Sequence, residues 1–208
     1  RLWGPSPVIS TDPSLGRAIG RPWNGRLING QRLAPEGEGY RSIRQSRGRF
    51  YGIGKLVAGI EWTAKQVRVA DPAAPPMAIG DLSAKNGGDI SAHRSHENGL
   101  DADILLAWKD AEGKPVFADE FVSLPAKGSV SHGGKRIQFD AARTWLTVKA
   151  LAANPHMQVQ NAFLDQSLIN ALLNYASKAG EDKTVISKVS RMLEHWKGHS
   201  HHIHIRVQ

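Results

Sequence analysis

Residues 199–207 read HSHHIHIRV. From His202 to Val207 polar and apolar residues alternate strictly, which is the period of a strand whose side chains point to opposite faces in turn. His202, His204 and Arg206 then share one face, while Ile203, Ile205 and Val207 share the other. The apolar face accounts for burying such a strand. Two histidines on its opposite face need a different reason, and His199 and His201 stand just before them.

A second histidine-rich stretch lies about a hundred residues upstream, where residues 93–103 read HRSHENGLDAD; together the two stretches hold six of the nine histidines. His96 and Asp103 are seven apart and bracket Gly99, and Asp103 opens the apolar run of residues 102–108, expected to be a buried strand. Capping a turn explains one of Asp101 and Asp103 more readily than both. An ionised carboxylate at the mouth of a buried strand is costly unless it is paired or bound to a metal. Zinc takes imidazole nitrogen and carboxylate oxygen, and a catalytic site leaves one position open. His96, Asp103 and one histidine of the terminal pair supply three such ligands.

Around these stretches the chain reads as one α+β domain over residues 1–208. The first forty residues, with five prolines and many glycines, are expected to form an irregular arm packed on the body. Leu56, Val57, Ile60, Ala64 and Val67 recur at helical spacing and predict a helix over 54–68. Residues 77–84 read as a short strand, and 109–138, polar and glycine-rich, as loop or hairpin. Asp140 is placed to cap a helix beginning at Ala141. Residues 156–164 alternate as a strand, Asp165 and Ser167 precede a helix closed by Gly180, and a short fourth helix is expected from Thr184.

Composition narrows the class. Forty per cent hydrophobic and 22% charged residues are those of a globular chain, and no run of eighteen apolar residues exists to span a membrane. Cysteine is absent, which excludes a disulfide framework and a Cys-ligated zinc site. The net charge of +8 favours a polyanion: nucleic acid, anionic lipid or an anionic wall polymer. No nucleic-acid-binding motif accompanies that charge, so no nucleic-acid partner is expected.

The H-x(6)-D pattern, His96 to Asp103, joined to the late H-x-H pair, His202 to His204, resembles the metallopeptidase group of D-Ala-D-Ala peptidases and hedgehog-type domains. Within that group SAHRSHENGLDADI (91–104) is similar to the penicillin-insensitive murein endopeptidase family. So are GRPWNGRLINGQRLAPEGEGY (20–40), RGRFYG (47–52), IGDLSAKNGG (79–88) and FDAARTW (139–145), and the likeness spans roughly residues 14–208.

The resemblance implies a central, mainly antiparallel sheet flanked by helices and long loops, with a zinc site at the sheet face. It implies His96, Asp103 and His204 as the zinc ligands, and His202 beside the scissile carbonyl. His199 and His93 match further active-site histidines. The implied reaction is hydrolysis of the cross-link between D-Ala of one peptidoglycan stem peptide and diaminopimelate of the next, in the periplasm or outside the cell.

The metalloprotease motif H-E-x-x-H is missing, so an imidazole is expected to move the proton; His199 and His202 are both candidates. His93 and His201 are candidates for supporting the ligands or holding an additional metal. Five of the six tryptophans read as core or arm anchors, whereas Trp196, beside the terminal histidines, is expected to line a substrate groove. A carboxypeptidase or endolysin on the same scaffold, or a non-catalytic wall-binding zinc protein, are the alternative readings.

Overall fold

The computed structural model describes residues 15–125 and 128–208. The described chain opens with a hairpin of β1 (Arg17–Arg21) and β2 (Asn24–Ile28), followed by β3 (Gln31–Arg32), β4 (Glu36–Gly37) and β5 (Tyr40–Ser42). A 3₁₀ turn at Gln45–Arg47 leads to β6 (Tyr51–Gly52) and then α1 (Gly54–Ala70). The stretch 17–40 is therefore richer in strands than the irregular arm expected of it. Its prolines and glycines mark the turns between very short strands, which carry too few residues to show a period.

α1 buries Leu56, Val57, Ile60, Ala64 and Val67, the face read from helical spacing. β7 (Met77–Ile79) is shorter than the strand expected over 77–84, and β8 (Asp101–Leu105) ends before Ala107. There the chain turns, and β9 (Trp108–Lys109) joins a second sheet with β10 (Pro115–Val116), β11 (Val130–His132) and β12 (Lys135–Phe139). The turn is held by the Ala107 carbonyl, which accepts from Asp140 N–H at 2.9 Å.

α2 (Ala141–Ala152) starts as read: the Asp140 carboxylate accepts from Arg143 N–H at 3.1 Å. β13 (Val159–Leu164) and α3 (Gln166–Lys178) follow, with Asp165 capping through Ser167 N–H and Gly180 turning out of the helix at φ +71°. α4 (Lys183–Met192), capped by Asp182, passes directly into β14 (Leu193–His195), a strand the helical reading of 184–195 did not foresee. The terminal strand, β15 (His202–Val207), occupies the residues its alternation predicts.

The seven-stranded sheet runs β14-β13-β15-β8-β7-β5-β4. It is mixed, which corrects the mainly antiparallel expectation: β13–β14 and β5–β7 run parallel, while the other neighbours are antiparallel. The physical reason lies in the connections. α1 links β5 to β7, and α3 with α4 links β13 to β14; a crossover through a helix returns the chain in the same direction.

The sheet's two faces differ in kind. Ala102, Ile104, Ala162, Leu164, Ile203, Ile205 and Val207, all at most 1% exposed, point into the core shared with the helices. Full burial of each large aliphatic chain is worth about 1.5–3 kcal/mol. The opposite face carries the acids and histidines.

Candidate metal centre and cleft

The register of β15 on β8 sets His204 directly opposite Asp103 and Arg206 directly opposite Asp101. On the other flank of β15, Phe163 of β13 stands opposite His204. A strand alternation that hides isoleucine on one face thus lines up Asp101, Asp103, His202, His204, Arg206 and Phe163 on the other.

His93 and His96 reach this face from the loop before β8, and the β1–β2 hairpin props that loop. Glu97 N–H donates to the Pro22 carbonyl at 2.9 Å, and the Glu97 carboxylate accepts from Gly25 N–H at 3.0 Å. Gly87 closes the contact: at φ +71° a Cβ there would lie 2.1 Å from the Glu97 carbonyl oxygen, so only glycine fits. His96 itself is left-handed at φ +73°, a conformation uncommon outside glycine, and its N–H donates to Asp101 Oδ2 at 3.1 Å.

His96 and His93 are held from behind by hydrogen bonds, and an acid stands behind His204. His96 Nδ1 donates to the Leu82 carbonyl at 2.8 Å, so in the neutral ring the lone pair is on Nε2, 3.3 Å from Asp103 Oδ1. His93 Nε2 meets Asp81 Oδ2 at 2.9 Å, and the same oxygen takes Arg47 at 2.8 Å and Arg49 at 3.1 Å. His204 Nε2 lies 3.5 Å from Asp101 Oδ2, leaving Nδ1 at 3.6 Å from Asp103 Oδ1. Carbonyls and carboxylates behind imidazoles in this way are the usual support of metal ligands.

The centre of the cluster lacks partners. Asp103 is buried, and neither of its oxygens has a hydrogen-bond partner; nor do His96 Nε2, His204 Nε2 or His199 Nδ1. His96, His202 and His204 all approach Asp103 Oδ1 within 3.6 Å, yet none does so with hydrogen-bond geometry. A buried carboxylate left in this state is costly, and a cation among nitrogen and oxygen donors relieves it. Three overlapping groups place one ligand atom from each member within 4.8 Å of the others: His93–His96–Asp103, His96–Asp101–His204 and His199–His202–His204. The trio read from the sequence, His96, Asp103 and His204, is spread over these three groups. The donor set fits zinc.

The charges follow from the packing. Burial alone would raise the Asp103 pKa, but His202 and His96 outweigh it and hold the carboxyl well below its ordinary value. Burial would likewise raise Asp101, yet His204 and Arg206 keep it ionised. His96 is raised, since Asp103 overcomes its desolvation. Burial lowers His204, and it lowers His199 and His201 to about 4, with the His202 charge adding to both.

A cleft of about 1000 Å³ opens over the cluster. His93, Asp103, His199, His201, His202 and His204 line it, and so does Trp196, 55% exposed and edge-on to Phe163 at 5.5 Å. His96 is fully buried beneath them. Residues not singled out from the sequence also belong here. Asp81 and Asp101 stand behind the histidines. Phe121 packs edge-on to His201 and His202 at 5.4 and 5.3 Å. Trp23, read as an arm anchor, is 52% exposed on the cleft rim. Asp101 had a signal in the sequence, because alternation along β8 puts it on the face of Asp103. Phe121 and Trp23 had none.

Comparison with known proteins shows the family of the chain. The profile of the family described as penicillin-insensitive murein endopeptidase matches residues 18–208. A protein of that name from Haemophilus influenzae is 32% identical over 205 residues, covering 96% of this chain and 66% of the relative. Namesakes from Escherichia coli O139:H28 and Shigella boydii serotype 18 are each 28% identical over 202 residues, covering 94% of this chain and 68% of theirs. The chain therefore spans about two thirds of the length of these curated relatives. With the profile matched from β1 to the last residue, the chain belongs to the penicillin-insensitive murein endopeptidase family.

Proposed function

We propose that this chain is a zinc-dependent murein endopeptidase that hydrolyses the D-Ala–diaminopimelate cross-links of peptidoglycan. The observation that carries the reading is Asp103: a buried carboxylate with both oxygens unpartnered, faced by His96, His202 and His204, on the floor of an open cleft. His96, Asp103 and His204 hold the metal. Zinc, when bound, supplies Lewis acidity that activates water and polarises an amide carbonyl.

The chain's own residues do the rest. The Leu82 carbonyl fixes the ring orientation of His96, and the Asp101 carboxylate stands 3.5 Å behind His204. His199 and His202, with ring centres 4.9 Å apart on the cleft wall, are placed to take up and return the proton that amide hydrolysis moves. His201 stacks on His202, His93 packs edge-on to His96, and Trp196 offers an exposed aromatic wall for the substrate. A wall substrate supports a location in the periplasm or outside the cell. Separately, no helix among the described residues is long and apolar enough to cross a membrane.

The test is digestion of purified cross-linked muropeptide dimers, read by mass spectrometry. Dimers become monomers, chelation stops the reaction, and zinc restores it. Intact dimers alongside a bound zinc would remove the endopeptidase reading. Release of a terminal D-amino acid from monomers would redirect it to a carboxypeptidase.

A further inference from the structure

The cleft is lined by five cations, Arg44, Arg47, Arg94, Lys197 and Arg206, against a single carboxylate, Asp103. Two of the five are already engaged, Arg47 with Asp81 and Arg206 with Asp101. Arg44, Arg94 and Lys197 pair with no carboxylate among the described residues. With a metal in place the excess of positive charge grows further, so the cleft is built for an anionic ligand.

Arg44 differs from the other two in what holds it. Its guanidinium carbon lies 4.6 Å over the ring of Phe121, and that same ring is edge-on to His202 at 5.3 Å. Stacking on an aromatic face holds the planar fork in place while its N–H donors stay free. The backbone points the same way. Arg44 is left-handed at φ +55°, a conformation that glycine or asparagine adopts at less cost. A long cationic side chain thus sits at a strained backbone position one ring away from His202.

We propose that Arg44 is the specificity-determining residue that binds a substrate carboxylate next to the amide being cut. The inference rests on the endopeptidase reading for the identity of that substrate. In a D-Ala–diaminopimelate cross-link, the carbon bearing the amide nitrogen also bears a carboxylate. A guanidinium presents two parallel N–H donors to such a group, a geometry no lysine reproduces.

The experiment uses the zinc-loaded chain and two cross-linked dimers that differ only at that carboxyl, free in one and converted to the carboxamide in the other. For the unsubstituted chain, amidation raises KM about 10- to 100-fold, the usual worth of a charge-assisted hydrogen bond. In Arg44→Gln the KM for the free carboxylate rises to that of the carboxamide, kcat stays within about threefold, and the carboxamide is cut as before. Arg44→Lys recovers part of the preference. Equal losses on both dimers in Arg44→Gln, or no preference in the unsubstituted chain, would overturn the proposal.

Should neither dimer be cut, the endopeptidase reading fails, and the same two compounds are titrated calorimetrically. Tighter binding of the carboxylate that disappears in Arg44→Gln supports the proposal without any turnover. Equal binding of the two compounds ends it.

Discussion

Arg206 grips the Asp101 carboxylate with two nitrogens, at 2.7 and 2.9 Å, across the β8–β15 ladder. The clamped carboxylate also accepts His96 N–H at 3.1 Å and stands 3.5 Å from His204 Nε2. One completely buried acid thus ties both strands and the histidine loop together at the point where two candidate ligands meet.

Asp101→Ala leaves the Arg206 charge and the His96 N–H without their partner, and breaking a buried pair of this kind costs about 3–5 kcal/mol. Chemical denaturation measures that loss. Metal affinity, read by competition with a chromophoric chelator, is expected to weaken about 10- to 100-fold. Unchanged affinity in a folded variant would show that Asp101 supports the sheet and not the ligands.

His202 and His204 sit two apart on one strand face and are assigned different duties. His204→Ala abolishes both zinc retention and dimer hydrolysis. His202→Ala keeps the metal and slows hydrolysis on the order of 10²–10⁴-fold, as loss of a general acid–base group does. Metal analysis of the purified variants separates the cases. A His202→Ala protein without zinc would make His202 the ligand of the pair.

Ile205 is fully buried on the core face of β15, while its neighbours His204 and Arg206 face the cluster. Ile205→Ala is expected to cost about 2–5 kcal/mol of stability, measured by denaturant unfolding. Its kcat at a temperature where it remains folded stays close to that of the unsubstituted chain. A loss of rate without loss of stability would contradict the division of duties between the two faces.

Burial, followed by the Glu61 charge and hydrogen bond, pushes the Tyr40 phenol up to about 12. An unfolded tyrosine ionises near 10. Between those values the unfolded state releases a proton that the native state keeps, so stability is full below pH 10 and falls as pH rises toward 12. Tyr40→Phe removes this dependence. Between pH 9 and 11 it is expected to lose about 1 kcal/mol less than the unsubstituted chain, by denaturant midpoints at the two pH values.

Local regularities were legible from the residues alone. The helical spacing of α1, the caps Asp140 and Asp165, and the alternation of β15 each follow from backbone geometry over a few consecutive residues. His202, His204 and Asp103 stood out for a related reason, since a polar group on an otherwise buried strand contrasts with its neighbours.

What those residues meet was decided by pairings across long separations. The register of β15 on β8 places Arg206 on Asp101, 105 positions apart in sequence. The β1–β2 hairpin supports the His93–His96 loop through Glu97, 72 positions from Gly25. Helical crossovers made two neighbouring pairs of the sheet parallel, β13–β14 and β5–β7. Phe121 and Arg44 reach the cleft from loops without periodicity, and nothing in their own neighbourhoods marks them. Periodicity reports which face of an element is buried; which elements share that face is set by closing the core, and only the tertiary structure records it.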